Sequence, residues 1–292
     1  MKIQTLNLIA GDKSCNAHCP FCISKMTGHE KSVKKEPINI RNLRKACTLA
    51  DRSGTDTVLI TGKGEPTLSP NDIYNYLDFL EDHYNFSFIE LQTNGLNLHT
   101  KTMQKHLEHW FQAGLNTISI STVHFKKEKN QKIYTGNKEY ISLPETVSML
   151  KSIGYLVRIS CVLMRGYIDN TSLVRSFIHW CKEMGVDQVS FAPIGVSNKE
   201  TSTDKEVERA KSWAFSHRLY DYEVEKIIQF MNTYGIPIMK LQHGATIYDL
   251  YDISVCMRDC LTEPRSENIR QLIFYPSGKL MYSWEYKGAR LL

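Results

Sequence analysis

The chain is 292 residues long, 42% hydrophobic and 23% charged, with 36 basic against 31 acidic residues and a net charge of +5. That length fills one large core, as a barrel-sized domain or a domain with an appendage, and the balance of residue types excludes a disordered or membrane-spanning chain. The basic residues are scattered, which argues against a nucleic-acid partner. Met1 to Ala10 carries one lysine and then alternates, as a strand does and a signal peptide does not. A cytoplasmic protein is expected, whose eight cysteines hold metal more often than they pair. The sequons at Asn85 and Asn170 carry no message there.

In chain order, runs rich in branched and aromatic residues predict strands near Ile3 to Leu8, Thr57 to Thr61, Phe86 to Gln92, Thr117 to Ser121, Leu156 to Leu163 and Gln188 to Pro193. Helix-like spans alternate with them, near Ile38 to Asp51, Asn71 to Tyr84, Thr100 to Ala113, Tyr140 to Ile153 and Ser172 to Met184, punctuated by Gly, Pro or Asn. Alternation of this kind builds an α/β fold whose parallel strands are joined by right-handed crossovers. Beyond it, a polar stretch from Ser197 to Glu206 precedes one long helix from Val207 to Tyr234, and a strand follows at Ile236 to Leu241. Ile269 to Tyr275 and Lys279 to Tyr282 flank Pro276-Ser277-Gly278, a hairpin signal.

The loop after the first strand reads Ser14-Cys15-Asn16-Ala17-His18-Cys19-Pro20-Phe21-Cys22. Spacings of three and then two residues let one short loop wrap three thiolates around a 4Fe-4S cube whose fourth iron keeps no cysteine. Zinc held by Cys15, His18, Cys19 and Cys22 uses the same residue types, although no second cysteine pair follows at the usual distance, so the loop by itself leaves both metals open. In a barrel of strand and helix units, the loops after the strands gather on one face, where such folds place their chemistry. Two more polar turns stand there: Thr61-Gly62-Lys63-Gly64-Glu65-Pro66-Thr67-Leu68 after the second strand, whose glycines expose backbone groups to a ligand, and Gln92-Thr93-Asn94-Gly95 after the third.

With these three loops in view the chain resembles a radical S-adenosylmethionine enzyme over about residues 1 to 195. The resemblance implies a partial (β/α)6 barrel of TIM type, in agreement with the six strands above, with a C-terminal α+β extension over 196 to 292 that packs on the barrel and faces the substrate. It implies that Cys15, Cys19 and Cys22 bind the cluster, whose open iron chelates S-adenosyl-L-methionine. Phe21 then packs near the adenine, Gly64, Glu65 and Pro66 hydrogen-bond the methionyl amino group, and Asn94 joins them from the neighbouring turn. Ser119 or Ser121 meets the cofactor from the fourth strand. Arg158 is a candidate for its carboxylate, or caps a neighbouring acid. Ala192 and Pro193 back the adenine. Such enzymes reductively cleave the cofactor to a 5′-deoxyadenosyl radical that abstracts hydrogen from a small molecule, nucleotide, sugar or peptide, and they draw electrons from an external donor such as flavodoxin or ferredoxin. A non-catalytic redox or zinc-stabilised protein is the alternative, but an electron carrier has no use for an amino-acid-binding turn beside its cluster.

Other residues weigh less. Cys256 and Cys260 suggest an auxiliary cluster, but Ser283 stands where such extensions often have a further cysteine, and Cys47, Cys161, Cys181 or a non-cysteine group would have to complete it; two packed or surface thiols are expected instead. Lys25, Lys31, Lys34 and Lys35 read as a solvated face. His124, Asp169 and Glu285 are possible substrate contacts. Tyr134, Tyr155, Tyr167, Tyr275 and Tyr282 read mostly as packing, and Trp213, Phe215 and Tyr220 as core.

Overall fold

The structure, a computed structural model, describes residues 2–27, 36–196, 203–241, 245–257, 269–284 and 288–292. The first six strands are β1 Ile3–Ile9, β2 Thr57–Thr61, β3 Phe88–Thr93, β4 Thr117–Thr122, β5 Leu156–Leu163 and β6 Gln188–Pro193. Between them run α1 Ile23–Met26, α2 Ile40–Arg52, α3 Pro70–His83, α4 Lys101–Gln112, α5 Lys127–Tyr134, α6 Leu143–Ile153 and α7 Thr171–Glu183. Local chemistry sets the boundaries. Asn39, Thr100 and Asn170 each accept a hydrogen bond from a first-turn amide of α2, α4 and α7. Gly154, at φ 116°, stops α6 in the left-handed region. Helix α5 has no counterpart among the expected elements, because its eight residues are mostly polar and carry almost no apolar stripe.

The expected partial barrel is present as an open sheet, and the C-terminal third completes it differently from the expectation. Strands β7 Ile236–Lys240, β8 Thr246–Asp249, β9 Ser254–Met257, β10 Ile269–Phe274 and β11 Leu280–Met281 join the same sheet, whose order is β11-β10-β1-β2-β3-β4-β5-β6-β9-β8-β7. Eight neighbouring strands from β10 to β9 are parallel, and only the two edges are antiparallel. The hairpin signal is realised: Gly278, at φ 87°, donates to the Tyr275 carbonyl and Tyr275 donates to the Lys279 carbonyl, which turns β10 into β11.

The single long helix expected from Val207 is two, α8 Lys205–His217 and α9 Asp221–Tyr234. Arg218 takes an extended conformation, and Glu223 reaches back to the Tyr220 amide at 2.7 Å to start the second helix. The corner docks on the end of β5, where the Arg165 amide donates to the His217 carbonyl at 2.8 Å and the Arg165 guanidinium covers the Tyr220 ring at 3.8 Å. No proline or glycine marks that break, so the sequence pattern runs through it. Phe215 and Tyr220, expected in the core, are 58% and 50% exposed: Phe215 lies on the outer face of α8, and Tyr220 stands in the corner before α9.

Register divides the sheet into two unlike faces, because partners in a parallel ladder project to the same side. Ile118, Ile120, Val157, Ile159, Cys161, Val189, Phe191 and Val255 are at most 1% exposed and form the apolar side under the helices. The opposite face lines the inside of the partial barrel, its lumen, and carries two polar rungs. One rung is Gln92, Ser119, Arg158, Gln188 and Ser254; the next toward the strand ends is Ser121, Ser160, Ser190 and Cys256.

Candidate cluster and cofactor site

The three-cysteine loop leaves β1 and ends in α1, with Cys22 preceding the helix. Its shape is held by neighbouring strand ends. The His18 amide donates to the Tyr134 carbonyl at 2.9 Å, the Asn94 side chain donates to Asn16 Oδ1 at 2.8 Å, and Asn16 in turn donates to Asn97 Oδ1 at 3.0 Å. Asn94 Nδ2 also lies 3.8 Å from Cys15 Sγ, and the Ala17 amide points at the same sulfur from 3.4 Å.

The turn after β2 docks on this loop so closely that its glycine is obligatory. A Cβ on Gly64 would sit 2.0 Å from the Ser14 carbonyl oxygen, and the next amide, that of Glu65, donates to the same oxygen at 2.9 Å. Gly64 therefore serves loop-to-loop contact, beside the exposure of backbone groups to a ligand expected of this turn. The Glu65 carboxylate is buried and accepts four hydrogen bonds: from the Thr67 amide at 3.1 Å, Thr67 Oγ1 at 2.7 Å, Thr93 Oγ1 at 2.6 Å and the Asn94 amide at 2.9 Å. Burial pushes its carboxyl above the usual range, against the pull of those donors. Glu65 thus ties the β2 turn to the β3 turn, and the hydrogen-bonding groups this segment can offer a cofactor belong to its backbone. In Glu65→Gln one amide NH2 must face either the Thr67 or the Asn94 backbone N–H, which should destabilise the protein by about 1–3 kcal/mol. Anaerobic urea titration would read this; a midpoint equal to the native one would mean that the clamp carries no weight.

The thiols fit a cluster. Burial and then the charges of Cys22 and Cys15 push the Cys19 thiol up, and burial, Glu65 and Cys22 do the same for Cys15, so three thiolates crowded here need a cationic metal to be stable as anions. Behind Cys19 stand two buried tyrosines, Tyr134 and Tyr140, 5.8 Å apart in a stacked pair and both within reach of the Cys19 charge. The Tyr140 hydroxyl is buried with no hydrogen-bond partner, an unusual state that a thiolate or a cluster sulfide would relieve. Among the described residues no three His, Cys, Asp or Glu side chains stand close enough to hold one metal ion, and this bears equally on a closed zinc site and on a cluster.

The remaining expected residues are spread along the lumen. Ser121 lies on the rung nearer the strand ends, beside Ser160. Ser119 and Arg158 lie one rung deeper, and Arg158 is committed: it pairs with Glu90 Oε2 at 2.6 Å and donates twice to Gln188 Oε1, at 2.9 and 2.6 Å, while Gln92 donates to Glu90 Oε1 at 2.9 Å. Of the two roles open to this arginine, the structure shows the cap on a neighbouring acid. Ala192 shares the lumen face with Ser190; Pro193 projects to the other side, in register with fully buried Leu163. Phe21 packs on Trp213 of α8 at 5.7 Å, and Trp213 stacks on His217 at 3.7 Å. Helix α8 is also pinned to α1 by Lys25 and Glu206 at 2.8 Å, so the helix bridges the cluster loop and the end of β5.

His124 lies in a loop organised by fully buried Asn130, which accepts from Thr122 Oγ1 at 2.7 Å and the Val123 amide at 2.9 Å. Its Nδ1 accepts from the Lys126 amide at 3.0 Å, and burial together with Lys129 and Lys126 lowers its pKa to about 4, so the ring is neutral at pH 7. Asp169 caps its own turn by accepting from the Gly166 amide and Asn170 Nδ2. Tyr155 donates to the Leu107 carbonyl at 2.6 Å, and Tyr167 and Tyr275 are buried, whereas Tyr282 is partly exposed. Cys47, Cys161 and Cys181 are buried among apolar side chains away from the lumen. Lys31, Lys34, Lys35, Cys260 and Glu285 lie outside the described residues. Sequence reasoning gave no role to Asn97, Glu90, Gln188, Ser160 and Ser190, and named Asn16 and Gln92 only as members of their turns. For the strand residues the signal is polar alternation within strands that are buried on both faces, as in Gln188-Val189-Ser190-Phe191.

The chain is 28% identical over 204 residues to the GTP 3′,8-cyclase of Staphylococcus epidermidis, covering 67% of this chain and 56% of that one. It is 24% identical over 245 residues to the GTP 3′,8-cyclase of Aquifex aeolicus, covering 80% and 73%. The chain therefore spans a little over half the length of the first of these relatives. Its fold is similar to that of Streptococcus suis SuiB bound to precursor peptide SuiA, with a TM-score of 0.59 at 15% identity over 100% of this chain and 62% of that one. The model of the Radical SAM superfamily matches residues 13–172, more than half of the chain and all three cysteines of the loop, and the chain belongs to that superfamily.

Proposed function

We propose that this protein is an enzyme that reductively cleaves S-adenosyl-L-methionine at a 4Fe-4S cluster and uses the product to abstract hydrogen from a small hydroxylated substrate held in the lumen. The observation that carries the reading is the joint built by Glu65 and Asn94, which locks the cysteine loop, the β2 turn and the β3 turn into one unit. Cys15, Cys19 and Cys22 would hold the cluster, and the backbone of Gly62 to Pro66 and Ser121 would hold the cofactor. When bound, that pair supplies a 5′-deoxyadenosyl radical able to attack an unactivated carbon. The chain's own contribution is to orient and to keep out water. Phe21 and Trp213 close the side of the mouth under α8, and the Glu90–Arg158 network seals the floor.

For the substrate, the names of the relatives favour a purine nucleotide. One face of α8, with Lys205, Glu208, Arg209, Ser212, Trp213 and Ser216, borders a shallow open depression, where the two cations and the indole, beside the one carboxylate, would meet a phosphate and a base. An external one-electron donor such as flavodoxin or ferredoxin would reduce the cluster. No described helix is long and apolar enough to cross a membrane, and the clustered thiols suit a reducing cytoplasm. Residues 196 to 292 form the substrate-facing part in this reading.

The test is anaerobic: reconstitute the cluster, add dithionite and S-adenosyl-L-methionine, and assay 5′-deoxyadenosine with and without GTP. The native protein should release it and Cys19→Ala should not. Iron loading with no cleavage under either condition, or zinc in place of iron, would sink the reading; cleavage indifferent to GTP would remove the purine nucleotide alone.

A further inference from the structure

The polar rung nearer the strand ends crosses the boundary between the family core and the C-terminal third. Ser121, Ser160, Ser190 and Cys256 are register partners on β4, β5, β6 and β9. At about 4.8 Å per strand the rung is about 14 Å long. Ser190 is 4% exposed and its hydroxyl has no hydrogen-bond partner, which makes it a buried polar group aimed at the lumen with nothing to satisfy it. The rung below carries one cation, Arg158, and Glu90 neutralises it at 2.6 Å. This wall therefore offers hydroxyl groups without net charge. At its far end Cys256 is half-buried and in no disulfide, and Sγ lies 3.6 Å from the Met257 carbonyl. Among the described cysteines outside the cluster loop it is the one on the lumen face.

We propose that Ser190 anchors a neutral hydroxyl- or carbonyl-bearing part of the substrate, and that Cys256 is a catalytic residue that returns a hydrogen atom to a substrate carbon radical. The S–H bond breaks, a C–H bond forms, and the sulfur is left as a thiyl radical. One electron from the external one-electron donor and one proton from water restore the thiol. The step runs downhill because S–H is weaker than the C–H bond formed, and the product keeps the hydrogen count of the substrate. Such a reaction is a rearrangement or an inversion at carbon, without net oxidation of the substrate.

This inference rests on the function proposed above, and two readouts separate them. In the holoenzyme with oxidised cluster, N-ethylmaleimide labelling of Cys256, mapped by peptide mass spectrometry, should slow by about tenfold when S-adenosyl-L-methionine is added. An unchanged rate would place the thiol outside the shared cavity and overturn the proposal whether or not the enzyme turns over. In the second experiment, dithionite and S-adenosyl-L-methionine are supplied in D2O without substrate. The native protein should release singly deuterated 5′-deoxyadenosine, because the nearest weak hydrogen is then the exchanged thiol deuteron. Cys256→Ala and Cys256→Ser should cut the labelled fraction of the 5′-deoxyadenosine released by about tenfold; serine keeps the size, but its O–H bond is too strong to serve. Equal label in all three proteins, or loss of iron from Cys256→Ser, would overturn the assignment. No 5′-deoxyadenosine from any of them would instead fault the proposed function, and the labelling rate would still decide where Cys256 stands.

Discussion

Arg158→Met should lower the unfolding free energy by about 3 kcal/mol, the low end of the cost of leaving a buried carboxylate without its partner, because the Arg158 side chain is 30% exposed and water can partly take its place. Glu90 is 2% exposed in the floor of the lumen, where it meets Arg158 at 2.6 Å and accepts one hydrogen bond from Gln92. Methionine keeps the bulk of the arginine stem and removes the charge, so Glu90 must either ionise unpaired or take up a proton, and both are unfavourable. The paired variant Glu90→Met with Arg158→Met should recover most of the loss, because exchanging both members of a buried pair for apolar groups is often near neutral. Anaerobic urea unfolding of the native, single and double variants decides the matter. A double variant as unstable as the single one would show that the charge pair is not the source.

Gly64→Ala should leave the sheet folded and release the cluster. The added Cβ would stand 2.0 Å from the Ser14 carbonyl oxygen, and the atoms on both sides are backbone, which cannot rotate away. The cysteine loop or the β2 turn must move, and the 2.9 Å hydrogen bond from the Glu65 amide to Ser14 goes with it. Overpacking of this kind costs about 1–3 kcal/mol. The larger effect falls on the cluster, because shifting Ser14 displaces Cys15 next to it. Iron per chain after reconstitution should fall well below that of the native protein, with circular dichroism unchanged. Full iron loading in Gly64→Ala would show that the two loops are not coupled. Gly62→Ala should be milder, since its Cβ would meet its nearest atoms at 3.0 to 3.2 Å.

What the sequence determined by itself was the alternation of strands and helices from Ile3 to Pro193, the hairpin at Pro276 to Gly278 and the set of three thiols. Each is written in local chemistry: caps and turn residues are chosen by the backbone a few positions away, and a three-then-two spacing is a property of one loop. The resemblance to radical S-adenosylmethionine enzymes also rested on such short motifs. The tertiary structure decided the rest, because it turns on which distant strands become neighbours. Whether Arg158 meets a ligand or Glu90 depends on β3, β4 and β5 lying side by side, which places residues 68 positions apart in contact. That the Glu65 carboxylate is taken up by Thr93 and Asn94, which leaves its backbone to face a cofactor, depends on the β3 turn folding against the β2 turn. The C-terminal third looked like an appendage because nothing in the spacing of Ser254 to Met257 or Ile269 to Phe274 says that they pair with β6 and β1. Parallel pairing is a long-range choice made by the apolar face of the whole sheet, and it is this choice that brings Cys256 level with Ser190.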